Sequence, residues 1–399
     1  MKCKICTFAK LAGIALGLAL SLPVSARYVQ VNLVSDGSVP GTVKDVNLVN
    51  PWGIASSPSG PFWVSDNGTG VSTLYNGTTG LPLPLVVTIP PPAGSPVGTK
   101  STPTGQVFNS TSGFTITDAN GTGRSTFMFA TEDGTIAAWK GGAPLQTSAL
   151  RMVDNSAAGA VYKGLAIGSN ASGNFLYAAN FSAGKIDVFN GLFGSATLPG
   201  SFVDPSLPSG YSPFNIQNLG GKIYVAYAKQ SPTNPRDELA GPGLGFVDVF
   251  DTDGVLLRRI ATGATLNAPW GLALAPAGFG EFSHALLVGN FGDGRINAFD
   301  ASTDAFLGQL TDPVGKPITI DGLWGLQFGN NGAAGLRNEL FFAAGINDEA
   351  NGLFGKLVAV PEPGTFAIFT LGLVVLGLRR KLAGRSTAAP DLHGQLASN

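Results

Sequence analysis

The chain is poor in the residues that most often carry chemistry. Its 399 residues include only two cysteines, two histidines and three methionines, and 12% are charged. Both cysteines, Cys3 and Cys6, lie in an N-terminal segment expected to be removed. The mature chain then has no thiol for a disulfide, a zinc site or a covalent intermediate. His284 is the only histidine before the C-terminal tail and lies in a turn ahead of a strand, a poor place for a triad base, and alone it cannot form a multi-histidine metal site. Basic residues number 24 against 25 acidic ones, a formal net charge of −1. That balance gives no basic field for phosphates and argues against a nucleic-acid partner.

What the chain has instead is turns and aromatic rings, with 56 Gly, 27 Pro and 25 Phe. Its two ends read as addresses. Lys2, Lys4 and Lys10 precede an apolar run over 11–22, and Val24-Ser25-Ala26 supplies small residues for cleavage. Residues 1–26 are therefore expected to be a signal peptide, handled by the Sec machinery and cut after Ala26. Near the other end, Pro361-Glu362-Pro363 leads into an apolar segment over 366–378, followed by Arg379-Arg380-Lys381. As a helix this segment spans about 20 Å. It falls short of the roughly 30 Å hydrocarbon layer and suits a transient membrane passage before processing. The basic cluster is expected on the cytoplasmic side. This order of motif, apolar stretch and basic residues over 361–381 resembles the PEP-CTERM sorting signal of Gram-negative bacteria. The resemblance implies an exosortase as a partner. Residues 382–399 are expected to be a disordered tail, longer than such signals usually carry.

Between the addresses lies a repeat. Asn50-Pro51-Trp52-Gly53-Ile54, Ala268-Pro269-Trp270-Gly271-Leu272 and Gly322-Leu323-Trp324-Gly325-Leu326 align, and the last two tryptophans are 54 positions apart. Trp52 and Trp270 are 218 apart, close to four such steps. Degenerate copies are expected at Ser112-Gly113-Phe114-Thr115-Ile116, Lys163-Gly164-Leu165 and Ser212-Pro213-Phe214-Asn215-Ile216. Each unit continues with a strand ending in a polar residue, as in Val64-Ser65-Asp66-Asn67 and Tyr177-Ala178-Ala179-Asn180. A further alternating strand follows, as in Lys185-Ile186-Asp187-Val188-Phe189. Period-2 alternation bounded by Gly and Asn marks antiparallel strands. The expected fold is all-β, a six-bladed β-propeller over 27–360 with blades of four strands. The N-terminal strand from Tyr28 is expected to close the ring by pairing in blade six and so remove an exposed edge. Two long stretches, 81–105 and 229–245, read as a loose connection and an inserted loop.

The run from Val31-Asn32-Leu33-Val34-Ser35-Asp36 through Asn50-Pro51-Trp52-Gly53-Ile54 to Val64-Ser65-Asp66-Asn67 resembles an uncharacterised bacterial propeller family that often bears such a tail. The resemblance implies kinship with the NHL and gluconolactonase-like propellers.

In a propeller blade the start of the first strand and the end of the second share one face. The polar strand ends and the acidic residues beside them, Glu132, Asp133, Asp237, Glu238 and Asp293, are therefore expected to converge at the channel mouth. Candidate ligands for a cation or a polar ligand there are Asp66, Asn67, Asn180, Asn290, Asn347 and Asp348. Their oxygen donors suit Ca2+, although β-turns also favour Asp and Asn. Asp118-Ala119-Asn120-Gly121 is read as a turn, and the three repeated tryptophans as packing anchors between blades. Three functions are carried forward. The first is a non-catalytic binding or structural protein of the cell surface or matrix, whose partners would include an extracellular polysaccharide or small polar ligand. The second is a calcium-dependent lactonase- or esterase-like hydrolase, and the third a redox propeller with a quinone cofactor. Replacing Pro361, Glu362 and Pro363 with alanine should leave the domain folded but mislocalised in cell fractions; unchanged localisation would contradict the sorting assignment.

Overall fold

The computed structural model describes residues 27–360. The expected signal peptide with its cut after Ala26, the Pro361-Glu362-Pro363 motif, the 366–378 segment and the tail lie outside the described residues. Among the described residues, no helix is long and apolar enough to cross a membrane.

Six antiparallel sheets stand around one axis, each contributing its first strand to the centre. These inner strands are Pro51–Ser56, Pro103–Phe108, Tyr162–Asn170, Tyr211–Leu219, Pro269–Leu274 and Leu323–Phe328. Five blades hold the four strands expected, and blades four and six each add a short fifth, Glu238–Leu239 and Val43–Lys44; blade three is the exception. There the sheet ends at the third strand, Lys185–Asn190, whose edge is partly covered where Ala196 N–H donates to the Val188 carbonyl at 2.9 Å. Blade six closes as expected. Tyr28–Ser35 pairs antiparallel with Leu353–Ala359, from Tyr28 opposite Ala359 to Ser35 opposite Leu353. The last of the described strands thus gains a partner from the first.

Both faces of each sheet are covered by neighbouring blades. Six apolar clusters fill the six gaps, for example Trp63, Phe127, Phe129 and Trp139 between blades one and two. This explains why second strands such as Phe127–Thr131 and Ala285–Asn290 are buried at every position. Alternation survives only where one face meets water.

One expected repeat copy is displaced. The inner strand of blade two is Pro103–Phe108, and Phe114-Thr115-Ile116 instead enters a hairpin, Thr115–Asp118 with Gly121–Arg124. The 81–105 stretch therefore ends inside an inner strand rather than in a loose connection. The reason is visible at the axis. Each inner strand carries an irregularity in pairing at its third residue or nearby, as at Pro51/Ile54, Pro269/Gly271 and Leu323/Leu326. A bulge bends the strand and re-aims a side chain, here that of the residue just before the glycine. The glycine itself presses on the next blade. A Cβ on Gly325 would lie 2.5 Å from the Trp52 carbonyl, and one on Gly271 2.8 Å from the Trp324 carbonyl. Gly53 meets the Thr104 carbonyl of the following blade, Gly105 the Gly164–Leu165 peptide, and Gly164 the side chain and backbone of Asn215. Blade four has Asn215 at this position, and its Nδ2 donates to the Trp270 carbonyl at 2.7 Å. The shared demand is closeness, so Thr104-Gly105 satisfies it without an aromatic residue.

Gly325→Ala should therefore lower stability by about 1–3 kcal/mol through overpacking. Gly141→Ala, where the nearest atom to a new Cβ is 3.9 Å away, is the control. Equal melting temperatures for the two variants would contradict the close-contact account.

Candidate functional site

The residues re-aimed by the bulges meet on the axis at its proximal end, where the inner strands begin. Trp52, Trp270 and Trp324 pack there with Phe181, Phe214 and Phe291. Trp52 stacks on Trp324 with ring centroids 3.5 Å apart, and Trp270 stands edge-on to both at 6.0 and 5.7 Å. Phe291 stacks on Trp324 at 4.1 Å. The tryptophans thus anchor one another on the axis, not the gaps between blades. Together the rings plug the channel.

Lys163 occupies the tryptophan position of blade three. Its Nζ lies 5.2 Å from the Trp52 ring, 5.4 Å from Phe181 and 5.5 Å from Phe214. Two carboxylates complete the surround: Glu132 at 3.2 Å, from the end of blade two's second strand, and Glu238 at 3.0 Å, from the blade-four insertion. Burial alone would lower the pKa of Lys163, but Glu132 and Glu238 outweigh it and hold the ammonium well above its ordinary value. A lysine so held is a fixed cation and a poor nucleophile. The 229–245 insertion folds over this mouth, with Glu238–Leu239 pairing on the second strand of its blade and Arg236 donating to the Glu132 carbonyl at 2.9 Å.

A third carboxylate, Glu349, approaches from the loop after blade six's second strand. Asn347, Asp348 and Glu349 all have positive φ, at 57°, 52° and 64°. Asn50 Nδ2 donates to Glu349 Oε2 at 3.2 Å. Burial, then repulsion from Glu238 and Glu132, pushes the Glu349 carboxyl up to about 7, against the pull of Lys163 and the Asn50 hydrogen bond.

Of the residues anticipated at this mouth, Glu132 and Glu238 hold Lys163 and Asn67 joins them: its Nδ2 donates to Glu132 Oε2 at 3.0 Å. Asp66 turns into its own blade and accepts from Thr73 Oγ1 at 2.8 Å, its carboxyl pushed well up by burial. Asn180 donates to Asp187 at 2.8 Å, and Asn290 to the Thr265 carbonyl at 2.8 Å and to Asp293 at 2.9 Å. Asn347 is exposed and donates to Asn351 at 3.0 Å, and Asp348 is exposed beside it. Neighbours on a strand point to opposite sides, so the axis receives the residue after each of three polar ends: Asn67, Phe181 and Phe291. These donors do not converge as a calcium shell. Among the described residues, no three His, Cys, Asp or Glu side chains are placed to hold a metal ion. Lys163 and Glu349 were not anticipated; a lysine where other blades carry tryptophan was the available signal.

The distal end differs. Past the plug, the six inner strands open into a cavity of about 420 Å3 whose wall includes residues of every blade. Its polar side chains are Ser56, Gln106, Gln217, Asn218 and Gln327. The rest is aliphatic or aromatic, with no acidic, basic or histidine side chain.

The PEP-CTERM protein-sorting motif family matches residues 359–381. That motif marks an exosortase-sorted protein exported to the cell envelope or surface. In shape the chain is similar to a streptogramin B lyase structure, at 13% identity over 84% of this chain and 98% of that one, with a TM-score of 0.44. In sequence it is similar to two proteins of Acanthamoeba polyphaga mimivirus. Uncharacterized protein R648 is 34% identical, over 82% of this chain and 78% of that protein. Uncharacterized protein L690 is 33% identical, over 82% and 84%. These relatives are viral and do not carry the bacterial source that the tail suggests. By this identity and coverage, the chain belongs to the family that these two mimivirus proteins represent.

Proposed function

We propose that the protein is a non-catalytic binding protein of the cell surface or extracellular matrix, delivered by Sec export and C-terminal sorting. One observation carries this reading: the cavity formed by all six inner strands is lined without a titratable side chain. Proton transfer and covalent catalysis need an acid, a base or a nucleophile in contact with the substrate. Amides and aliphatic walls can position a molecule, but they cannot exchange protons with it near neutral pH.

A second reading, the lactonase- or esterase-like hydrolase, is favoured by Glu349, whose carboxyl is pushed up to about 7 at the proximal mouth. That value suits a general base. Against it stands the enclosure of the cluster, in which Lys163 already binds Glu132 and Glu238. The residues do not fit the calcium ion that this reading requires, so no step is derived through one.

A lactone and ester screen on the mature domain, with and without chelator, separates the readings. No turnover is expected under either condition. Chelator-sensitive turnover, lost in Glu349→Gln, would establish the hydrolase and overturn the binding reading.

Glu349 also sets a pH dependence. Its folded pKa of about 7 lies above the ordinary 4.5, so the folded state holds the proton more tightly. Its stabilising contribution is full below pH 4.5 and is lost as pH rises through 7. Glu349→Gln should therefore melt higher than the parent at pH 8, with the gap closing towards pH 5; a constant gap would contradict the assignment.

A further inference from the structure

The distal cavity also constrains the chemistry of its occupant, an inference that rests on the binding reading above. Its volume of about 420 Å3 lies within the range of small-molecule sites, roughly 300–1,000 Å3. It is blind. Ile54 lines the cavity, and two residues earlier on the same strand Trp52 is buried in the axial plug. A polymer cannot thread such a channel, so only a small molecule or a chain end can enter.

The free hydrogen-bonding capacity is specific. Gln106 is engaged inward, with Nε2 donating to the Gly53 carbonyl at 3.0 Å and to the Trp63 carbonyl. Asn218 is likewise engaged, donating to the Ile167 carbonyl at 2.8 Å and accepting from Gly221 N–H at 3.0 Å. Gln327 Nε2 donates to Ser56 Oγ at 3.0 Å, which leaves its carbonyl oxygen as an acceptor. Gln217 lines the cavity with its whole amide available, both donor and acceptor. Hydroxyl groups, which donate and accept at once, match this set.

Charge removes the alternatives. A carboxylate, phosphate or ammonium placed here would be partly desolvated with no counter-charge in the wall. A polypeptide terminus brings such a charge, as does a nucleotide or a uronic acid. A neutral sugar brings none. Its hydroxyl edges suit Gln217 and Gln327, and its C–H faces suit exposed Leu274 and the half-buried rings of Phe108 and Phe328. We propose that the distal cavity binds the end of a neutral saccharide chain.

The test uses titration calorimetry of the mature protein with maltotriose, cellotriose, triacetylchitotriose and, as the charged counterpart, trigalacturonate. At least one neutral trimer should bind, and trigalacturonate should bind at least about tenfold more weakly. Extending the bound trimer to its hexamer should leave Kd within about twofold, because only the end is held. Gln217→Glu should weaken binding at least about tenfold with an unchanged melting temperature, and Gln217→Asn should restore part of it. Failure of every neutral trimer, equal binding of trigalacturonate, or insensitivity to Gln217→Glu would overturn the proposal. Those results would leave the non-catalytic reading standing, whereas turnover in the lactone and ester screen would overturn that reading by itself.

Discussion

The structure depends on how closely six strands can approach one axis. At five of the six steps around the ring, a residue without a side chain presses on the next blade, as with Gly325 against the Trp52 carbonyl and Gly271 against that of Trp324. Where the glycine is missing, Asn215 takes the space and returns a hydrogen bond to Trp270. The bulges that allow this approach also swing the preceding side chains onto the axis. Blade packing and the axial plug are thus consequences of one local geometry. The pairing of Tyr28–Ser35 with Leu353–Ala359 completes it by joining the two ends of the described chain.

That geometry gives the channel two unlike ends. At the proximal end five of the six re-aimed residues are Trp52, Thr104, Phe214, Trp270 and Trp324; the sixth is Lys163. Its charge, enclosed by rings, is tolerated because Glu132 and Glu238 reach it directly. Removing one partner of such a buried pair costs about 3–5 kcal/mol, so the cluster is held as a unit. The insertion carrying Arg236 and Glu238 is the segment that seals it. At the distal end the wall is neutral throughout. A protein with charge enclosed at one end and amides open at the other is suited to holding an uncharged partner.

Much of the fold was legible in the sequence. The Trp-Gly spacing gave the number of blades, and the unpaired strand at Tyr28 gave the closure. Blade two was misplaced because Phe114 imitates the aromatic residue, while the true copy at Thr104-Gly105 keeps only the glycine that packing requires. The missing strand of blade three left no mark in the repeat length. The site was less legible. Second strands such as Ala285–Asn290 are buried on both faces, so no alternation of apolar and polar residues reveals which of two neighbours faces the axis. Asn180 and Asn290 were therefore favoured over Phe181 and Phe291. Glu132 and Glu238 were placed at this end, but Glu349 arrives from a loop whose destination is set by tertiary packing, and Gln217 is one amide among many until six strands place it at an opening.

The central claim is that ligand enters at the distal end, away from the charged cluster. A crystal structure of the mature domain grown with its tightest-binding neutral saccharide tests this most directly. The account predicts sugar density against Gln217 and Gln327, with Lys163 and its carboxylates undisturbed. Density over Lys163, with the Arg236 loop displaced and the distal cavity holding only water, would contradict it.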